Sequence, residues 1–393
     1  MSDLCQTPLV NSDDCDFDLT DDELRAARTV KWAVAPEPQI AAWVAELDVR
    51  PCPVVLEAVQ DAVSRGTFGY SPFDSLTGLP HATASFQATR FGWDVDADLV
   101  VGCGDVMSGV GLALDYLCEP GPVIVPVPAY PPMLGILPLS GRSAVPVPFT
   151  HRGDSPACLD LEAINHALAQ GARTVLLTAP HNPLGRVFTP QELLALRDVV
   201  NTHGARVISD EIHAPLVLPG ATHTPYASLP DTAHHTTTVT AASKAWNIPG
   251  LKCAQVIAGN AADAAVLRSL PYIANHGTSP LGVAATLAAY RDGGPWLDNV
   301  LAHLDRQRTL LDELMATHLP HLPYTRIEAT YLVWIDVRPS AAPDPVLAAR
   351  AAGIEISAGA DFGAGFEGFA RLNIGTSAER LERIVAALGA AWS

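Results

Sequence analysis

Between residues 50 and 290, short β-prone apolar runs alternate with helical patterns, and this alternation restricts the possible folds more than any other feature of the sequence. The runs are Leu99-Val100-Val101, Val123-Ile124-Val125, Thr174-Val175-Leu176-Leu177, Arg206-Val207-Ile208-Ser209, Thr237-Thr238-Val239-Thr240 and Val256-Ile257-Ala258. Helical patterns such as Pro190–Val200 lie between several of them. Short strands separated by helices predict an α/β unit with a mostly parallel sheet flanked by helices on both faces. Ligands in such sheets bind beyond the C-terminal strand ends. Trp296–Thr317 reads as one long helix. Strands at Tyr331–Asp336 and Arg371–Ile374 follow, then a last helix at about 377–391, which together make a smaller α+β unit. Residues 1–49 read as an arm with a helix start at Thr20-Asp21-Asp22-Glu23 and a polar segment ending in Trp43-Val44-Ala45-Glu46-Leu47-Asp48. The expected division is an arm over 1–49 that joins the small domain, a large domain over 50–290 and a small C-terminal domain over 291–393.

A chain of 393 residues supports a large core and two domains. With 48% hydrophobic and 17% charged residues, it is globular in composition. A net charge of -18, with no Lys/Arg run, argues against nucleic acid as a partner. The seven cysteines (Cys5, Cys15, Cys52, Cys103, Cys118, Cys158 and Cys253) form no CxxC pair and are odd in number. They read as small buried apolar residues in a reducing cytoplasm. Met1-Ser2-Asp3-Leu4 is acidic and leads into no apolar h-region, so no signal peptide is expected. No apolar run reaches the about 18 residues a membrane span needs, and no solenoid-type repeat is present.

Four segments carry candidate chemistry, each just after a strand-like run. Ser243-Lys244 places an amine where desolvation can lower its pKa and make it a nucleophile and base. A solvated surface lysine is the plain alternative. Asp210, in Ser209-Asp210-Glu211-Ile212-His213, is an acid at a buried strand end. It could be a structural carboxylate, a metal ligand or the partner of a protonated ring nitrogen. His213 invites the metal reading, but no third ligand stands at a convincing spacing, and no metal is expected. Asn182, in Pro180-His181-Asn182-Pro183, is either a plain turn residue or an amide donor facing the strand-end crevice. Gly102-Cys103-Gly104-Asp105-Val106 precedes a helix whose N-terminus could hold a phosphate, although Met107 stands where a third glycine of G-x-G-x-x-G would be.

Gly loop, Asn-Pro, Asp and Ser-Lys, in that order across about 140 residues, resemble the fold-type-I pyridoxal-5′-phosphate (PLP) enzymes of the aspartate aminotransferase superfamily. Five segments resemble the cystathionine β-lyase or C–S lyase branch (MalY/PatB type): Trp43–Asp48, Phe68-Gly69-Tyr70-Ser71, Pro180–Val187, Asp210–His213 and Ser243–Leu251. Thr330–Asp336 and Arg371–Ile374 do so as well. The resemblance implies that Lys244 carries the cofactor as a Schiff base and later moves the Cα proton. Asp210 would pair with the pyridinium N–H, keeping the ring an electron acceptor. Asn182 would bond the ring 3′-oxygen, and Tyr130 would stack on the ring face. The backbone at Asp105 and Val106, the Ser243 hydroxyl and Tyr70 of a second subunit would hold the phosphate, which implies a homodimer. Lys252, eight residues after Lys244, could add charge to that cup or simply face solvent. Arg371 would bind the substrate α-carboxylate as a bidentate fork, with Val44 and Tyr70 also on the substrate side.

His213 stands where aminotransferases usually have Tyr, and a His there is typical of the lyase branch. The implied activity is β-elimination from cystathionine or a related S-substituted L-cysteine, giving a thiol, pyruvate and ammonia. An aminotransferase on the same scaffold is the first alternative, and a PLP-binding regulatory protein the second. Glu46 and Leu47 depart from the Asp and Met common in the branch, and no His follows Tyr130. Both departures bear on substrate choice.

Overall fold

The structure is a computed structural model that describes residues 15–72, 74–150 and 157–393. Met1–Leu4 and Cys5, which entered the reading of the N-terminus and the cysteines, lie outside the described residues. The strands in chain order are β1 (Ile40–Ala41), β2 (Val100–Cys103), β3 (Val123–Val127), β4 (Ala144–Pro148), β5 (Thr174–Thr178), β6 (Arg206–Asp210), β7 (Thr236–Thr240), β8 (Ala254–Ala258), β9 (Leu332–Asp336), β10 (Ile354–Glu355), β11 (Ser357–Ala358) and β12 (Phe369–Asn373).

Seven strands form the main sheet in the order β2-β8-β7-β6-β5-β3-β4. The β7–β6–β5–β3–β4 pairings are parallel, and β8 runs antiparallel between β2 and β7. The sheet is thus mostly parallel, as expected, with one reversed strand that its apolar run alone did not reveal. Its faces follow from the period of two along each strand. On β5, Leu176 packs with Val125, Ile208 and Val239 beneath the helices Val106–Tyr116 and Pro131–Leu139. Its neighbours Val175 and Leu177 pack on the other face with Ile164, Leu193 and Leu196 of the helices Leu161–Ala169 and Pro190–His203. With both faces covered, β3, β5, β7 and β8 are buried along their whole length. Strand β4 escaped the sequence reading because Pro146 and Pro148 interrupt it. It lies at the sheet edge and is mostly uncovered, which is where prolines are tolerated.

The helix Pro190–His203 runs one turn past the expected Val200. A capping box of Thr189 and Glu192 starts it, and Gly204 in the left-handed region (φ 58°) stops it. The long helix spans Gly294–His318. It packs with the helix Ala378–Ala391 and with β9 and β12 in a further core that takes in Phe17, Trp32 and Leu47 of the arm and Trp246, two residues past Lys244. Strand β12 lies between β11 and β9, antiparallel to both, and β1 of the arm pairs in parallel with β10. The two-residue strands β1, β10 and β11 are too short to leave a periodic signal. The arm begins with the expected capped helix, Asp21–Ala26, whose Thr20 and Glu23 cap reciprocally.

Candidate active site

Parallel strands bring their C-terminal ends to one edge of the sheet, and the candidate residues gather there. Asp210 is the last residue of β6, Asn182 lies in the turn after β5, and Ser243-Lys244 follows β7. Asp105 follows β2, and Tyr130 follows β3. Lys252 precedes β8, and because that strand runs antiparallel its beginning reaches the same edge.

Asp210 is buried, and the only hydrogen bond its carboxylate accepts among the described residues is at Oδ1, from the Ile212 backbone N–H at 3.1 Å. Burial pushes its carboxyl up to about 7. The Ile212 bond and the Lys244 charge oppose that rise, and the Glu211 charge adds to it. Lys244 is half-buried, with Nζ donating to the Ala45 carbonyl at 2.9 Å. Desolvation and the nearby Arg371 bring its amine down to about 8, against the pull of Glu46 and Asp210. Each of these two groups therefore lies within the electrostatic reach of the other.

Arg371 is buried on β12. It donates to Asn182 Oδ1 (3.1 Å), the Trp43 carbonyl (2.6 Å) and Ser357 Oγ (3.1 Å), and lies over the Phe362 ring at 4.9 Å. Its Nε has no hydrogen-bond partner among the described residues. Burial lowers it to about 10. Tyr130 is half-buried, and burial raises its phenol. The Arg371 charge opposes this, and the Asp210 and Asp105 charges reinforce it, so Tyr130 stands among all three. His213 is buried, its Nδ1 has no hydrogen-bond partner among the described residues, and it packs edge-on to Tyr331 at 6.4 Å. Burial, then the charges of Lys244 and Arg371, push it down to about 3, so it is a neutral imidazole.

At the other end of the cluster, Asp105 caps the helix Val106–Tyr116 by accepting from Ser108 N (2.8 Å) and Oγ (2.9 Å). Lys252 Nζ pairs with Asp105 Oδ2 at 2.7 Å, which places it at this helix N-terminus although half its side chain is exposed. A Cβ on Gly104 would meet the Gly277 backbone at 3.1–3.3 Å, a tight contact that favours glycine here. Val106 is buried and opens the helix. Tyr70 is not part of this gathering within one chain. It is 90% exposed and touches the ring of Tyr272.

The segment Trp43–Asp48 closes the cluster from the arm side. Asn373, two residues after Arg371 on β12, donates to the carbonyls of Val44 (2.6 Å) and Glu46 (2.7 Å). Asn247 holds the N–H (2.9 Å) and carbonyl (2.8 Å) of Leu47, and Tyr331 donates to the Ala45 carbonyl at 3.0 Å. Sequence reasoning assigned no role to Tyr331, Asn373, Asn247 or Ser357. The period of two on β12 carried a signal for Asn373, which shares a strand face with Arg371. Among the described residues no group of three or more His, Cys, Asp or Glu is arranged to hold a metal ion. A cleft of about 590 Å³ lined by His81, Phe86, Arg90, Tyr290 and Asp298 shares no residue with the cluster.

The family model for aminotransferase class I and II matches residues 44–388. The chain belongs to this family. Within the family it falls in the cystathionine β-lyase branch, and the fold is aspartate aminotransferase-like. It is 39% identical to the cystathionine β-lyase of Corynebacterium glutamicum over 92% of this chain and 96% of that one. It is 32% identical to the cystathionine β-lyase PatB of Bacillus subtilis over 95% and 99%. A crystal structure of a putative PLP-dependent β-cystathionase from Corynebacterium diphtheriae superposes with a TM-score of 0.89 at 38% identity, covering 95% of this chain and 98% of that one. The family depends on PLP, and the residues here fit that group. Asp210 is a buried carboxylate that accepts a single hydrogen bond among the described residues, the Lys244 amine lies within its electrostatic reach, and Lys252 adds positive charge at the Asp105-capped helix N-terminus for a phosphate.

Proposed function

We propose that this chain is a PLP-dependent C–S β-lyase acting on cystathionine or a related S-substituted L-cysteine. The observation that carries the chemistry is the Lys244 amine, brought to about 8 on the Ala45 carbonyl between the charges of Arg371 and Asp210. An amine near neutrality both accepts and returns protons efficiently. The bound cofactor supplies an electron sink for negative charge at Cα. Arg371 offers its guanidinium to the substrate α-carboxylate. Lys244 takes the proton from Cα, and the Cβ–S bond breaks with its electron pair leaving on sulfur. The thiolate takes up a proton, and the remaining three-carbon fragment hydrolyses to pyruvate and ammonia. Asp210 holds the charge of the ring nitrogen, Asn182 and Tyr130 fix the ring, and Asp105, Val106, Ser243 and Lys252 hold the phosphate. His213, neutral and beside Lys244, adds no competing positive charge.

Val44 and Tyr70 belong to the same proposal, the latter across a homodimer interface. Phe68, Tyr70, Leu76, Tyr272 and Ile273 are all more than half exposed, and this supports such a contact. We also assign the arm to 1–49, the PLP domain to 50–290 and the small domain to 291–393, and place the protein in the cytoplasm, in keeping with Cys52, Cys103, Cys118 and Cys253, which are buried and form no disulfide. Among those residues no helix is long and apolar enough to cross a membrane. The test is incubation of the purified holoenzyme with cystathionine. Free thiol and pyruvate in equal amounts are expected. Keto acid formed only when an α-keto acceptor is added, with no thiol, would make it a transaminase instead.

A further inference from the structure

Strand β2 ends the main sheet and has no neighbouring strand beyond it among the described residues, so its outward backbone groups need other partners. At Gly102 two side chains supply them. The N–H donates to Asp74 Oδ2 at 2.7 Å, and the carbonyl accepts from Asn275 Nδ2 at 2.8 Å. Both side chains stand where a further strand would bond. The fit leaves no room for a larger residue, because a Cβ on Gly102 would lie 2.6 Å from Asp74 Oδ1 and push the carboxylate away. Two residues on, Gly104 lies against the Gly277 backbone. The end of β2 is thus gripped from outside just before the helix that starts at Val106. The gripping residues sit in the segments that carry the exposed aromatic patch. Asp74 opens the short helix Asp74–Thr77 beyond Tyr70, Asn275 follows the turn Tyr272–Ala274, and the Tyr70 and Tyr272 rings meet edge-on at 6.3 Å.

Charge alone gives Asp74 no reason to stand here. Its carboxylate reaches Cys103, as that of Asp105 does, and a negative group this close opposes a phosphate. The bond to Gly102 works in the other direction. A phosphate at a helix N-terminus is held by N–H groups that must be aimed before it arrives, and such groups are only as well aimed as the residues behind them. We infer that Asp74, together with Asn275, is a positioning residue for the cofactor phosphate: it fixes the end of β2 and so aims the backbone at Asp105 and Val106. This inference rests on the assignment of that turn to the phosphate and adds the support behind it.

The test titrates the full-length protein, freed of cofactor, with PLP and with pyridoxal, which lacks the phosphate. Binding is followed by the absorbance of the bound compound. The dissociation constant of pyridoxal divided by that of PLP isolates the share of the phosphate. Asp74→Ala should weaken PLP about tenfold, the worth of one charge-assisted hydrogen bond, and leave pyridoxal within about twofold of the wild type. Asp74→Asn keeps an acceptor for the Gly102 N–H while dropping the charge, and should restore most of the loss. Asn275→Ala should lower the ratio in the same direction, and it decides the question if Asp74→Ala does not fold. PLP binding that is unchanged or tighter in the alanine variants overturns the inference, since charge alone predicts the tighter result. An equal loss for PLP and pyridoxal, the mark of a general loosening, overturns it too. Lys252→Gln checks the phosphate assignment separately. A ratio that falls in Lys252→Gln but not in Asp74→Ala removes the clamp and leaves the assignment standing, and a ratio moved by neither removes both.

Discussion

Asp210 carries a cost in the cofactor-free chain that pairing with a protonated ring nitrogen would relieve. Its carboxyl stands at about 7 in the folded chain, against about 4 when unfolded. A carboxyl raised by folding keeps its proton longer in the folded state, so the cofactor-free protein loses stability as pH climbs from about 4 to 7, and the loss is complete above that. Asp210→Asn should therefore stabilise the cofactor-free protein at pH 8 by on the order of 4 kcal/mol, with the gain gone below pH 4. Urea unfolding at both values checks this, and the same variant should bind PLP more weakly. Arg371 makes a second residue-level case. A lysine there keeps the charge but loses the planar fork that also engages Asn182 and Ser357. Arg371→Lys should lower kcat/KM about a hundredfold, a loss of about 2.7 kcal/mol in transition-state binding, in a steady-state thiol-release assay.

The turn after β5 shows how an element aims a residue. Gly185 adopts φ 64°, and a Cβ there would overlap the Ile327 side chain. Its carbonyl accepts from the N–H groups of Glu328 (2.8 Å) and Ala329 (3.0 Å). Gly185→Ala should cost at least 1 kcal/mol in unfolding free energy and shift the absorbance of bound PLP, because the same turn holds Asn182. Absorbance spectra and urea melts of the holoenzyme test both. The strand ends carrying Asp210, Asn182 and Lys244 were legible in the sequence because apolar runs buried on both faces leave an unmistakable pattern. Edge strand β4 was hidden by its prolines, and the reversal of β8 was hidden because strand direction leaves no mark in composition. The Ala45 carbonyl is 199 residues from Lys244 and 286 from Tyr331, the two side chains that donate to it. Contacts that distant depend on how the arm folds back, which no local period encodes.

For the molecule as a whole, the exposed Tyr70 is the clearest open question that mass can answer. Light scattering should give twice the mass of one chain. Tyr70→Ala should leave the fold intact and speed loss of PLP on dialysis, since the residue would reach a phosphate only from a partner. A monomer by light scattering would remove that role. The arm is braced within itself by the buried Lys31–Asp48 pair and tied to the small domain by Arg380, which bonds Asp21 and the Leu19 carbonyl. The Ala45 oxygen has two donors, Lys244 and Tyr331. When the amine swings away to serve the substrate, the phenol still pins that stretch of backbone. With that backbone held throughout, kcat should not slow when sucrose thickens the medium.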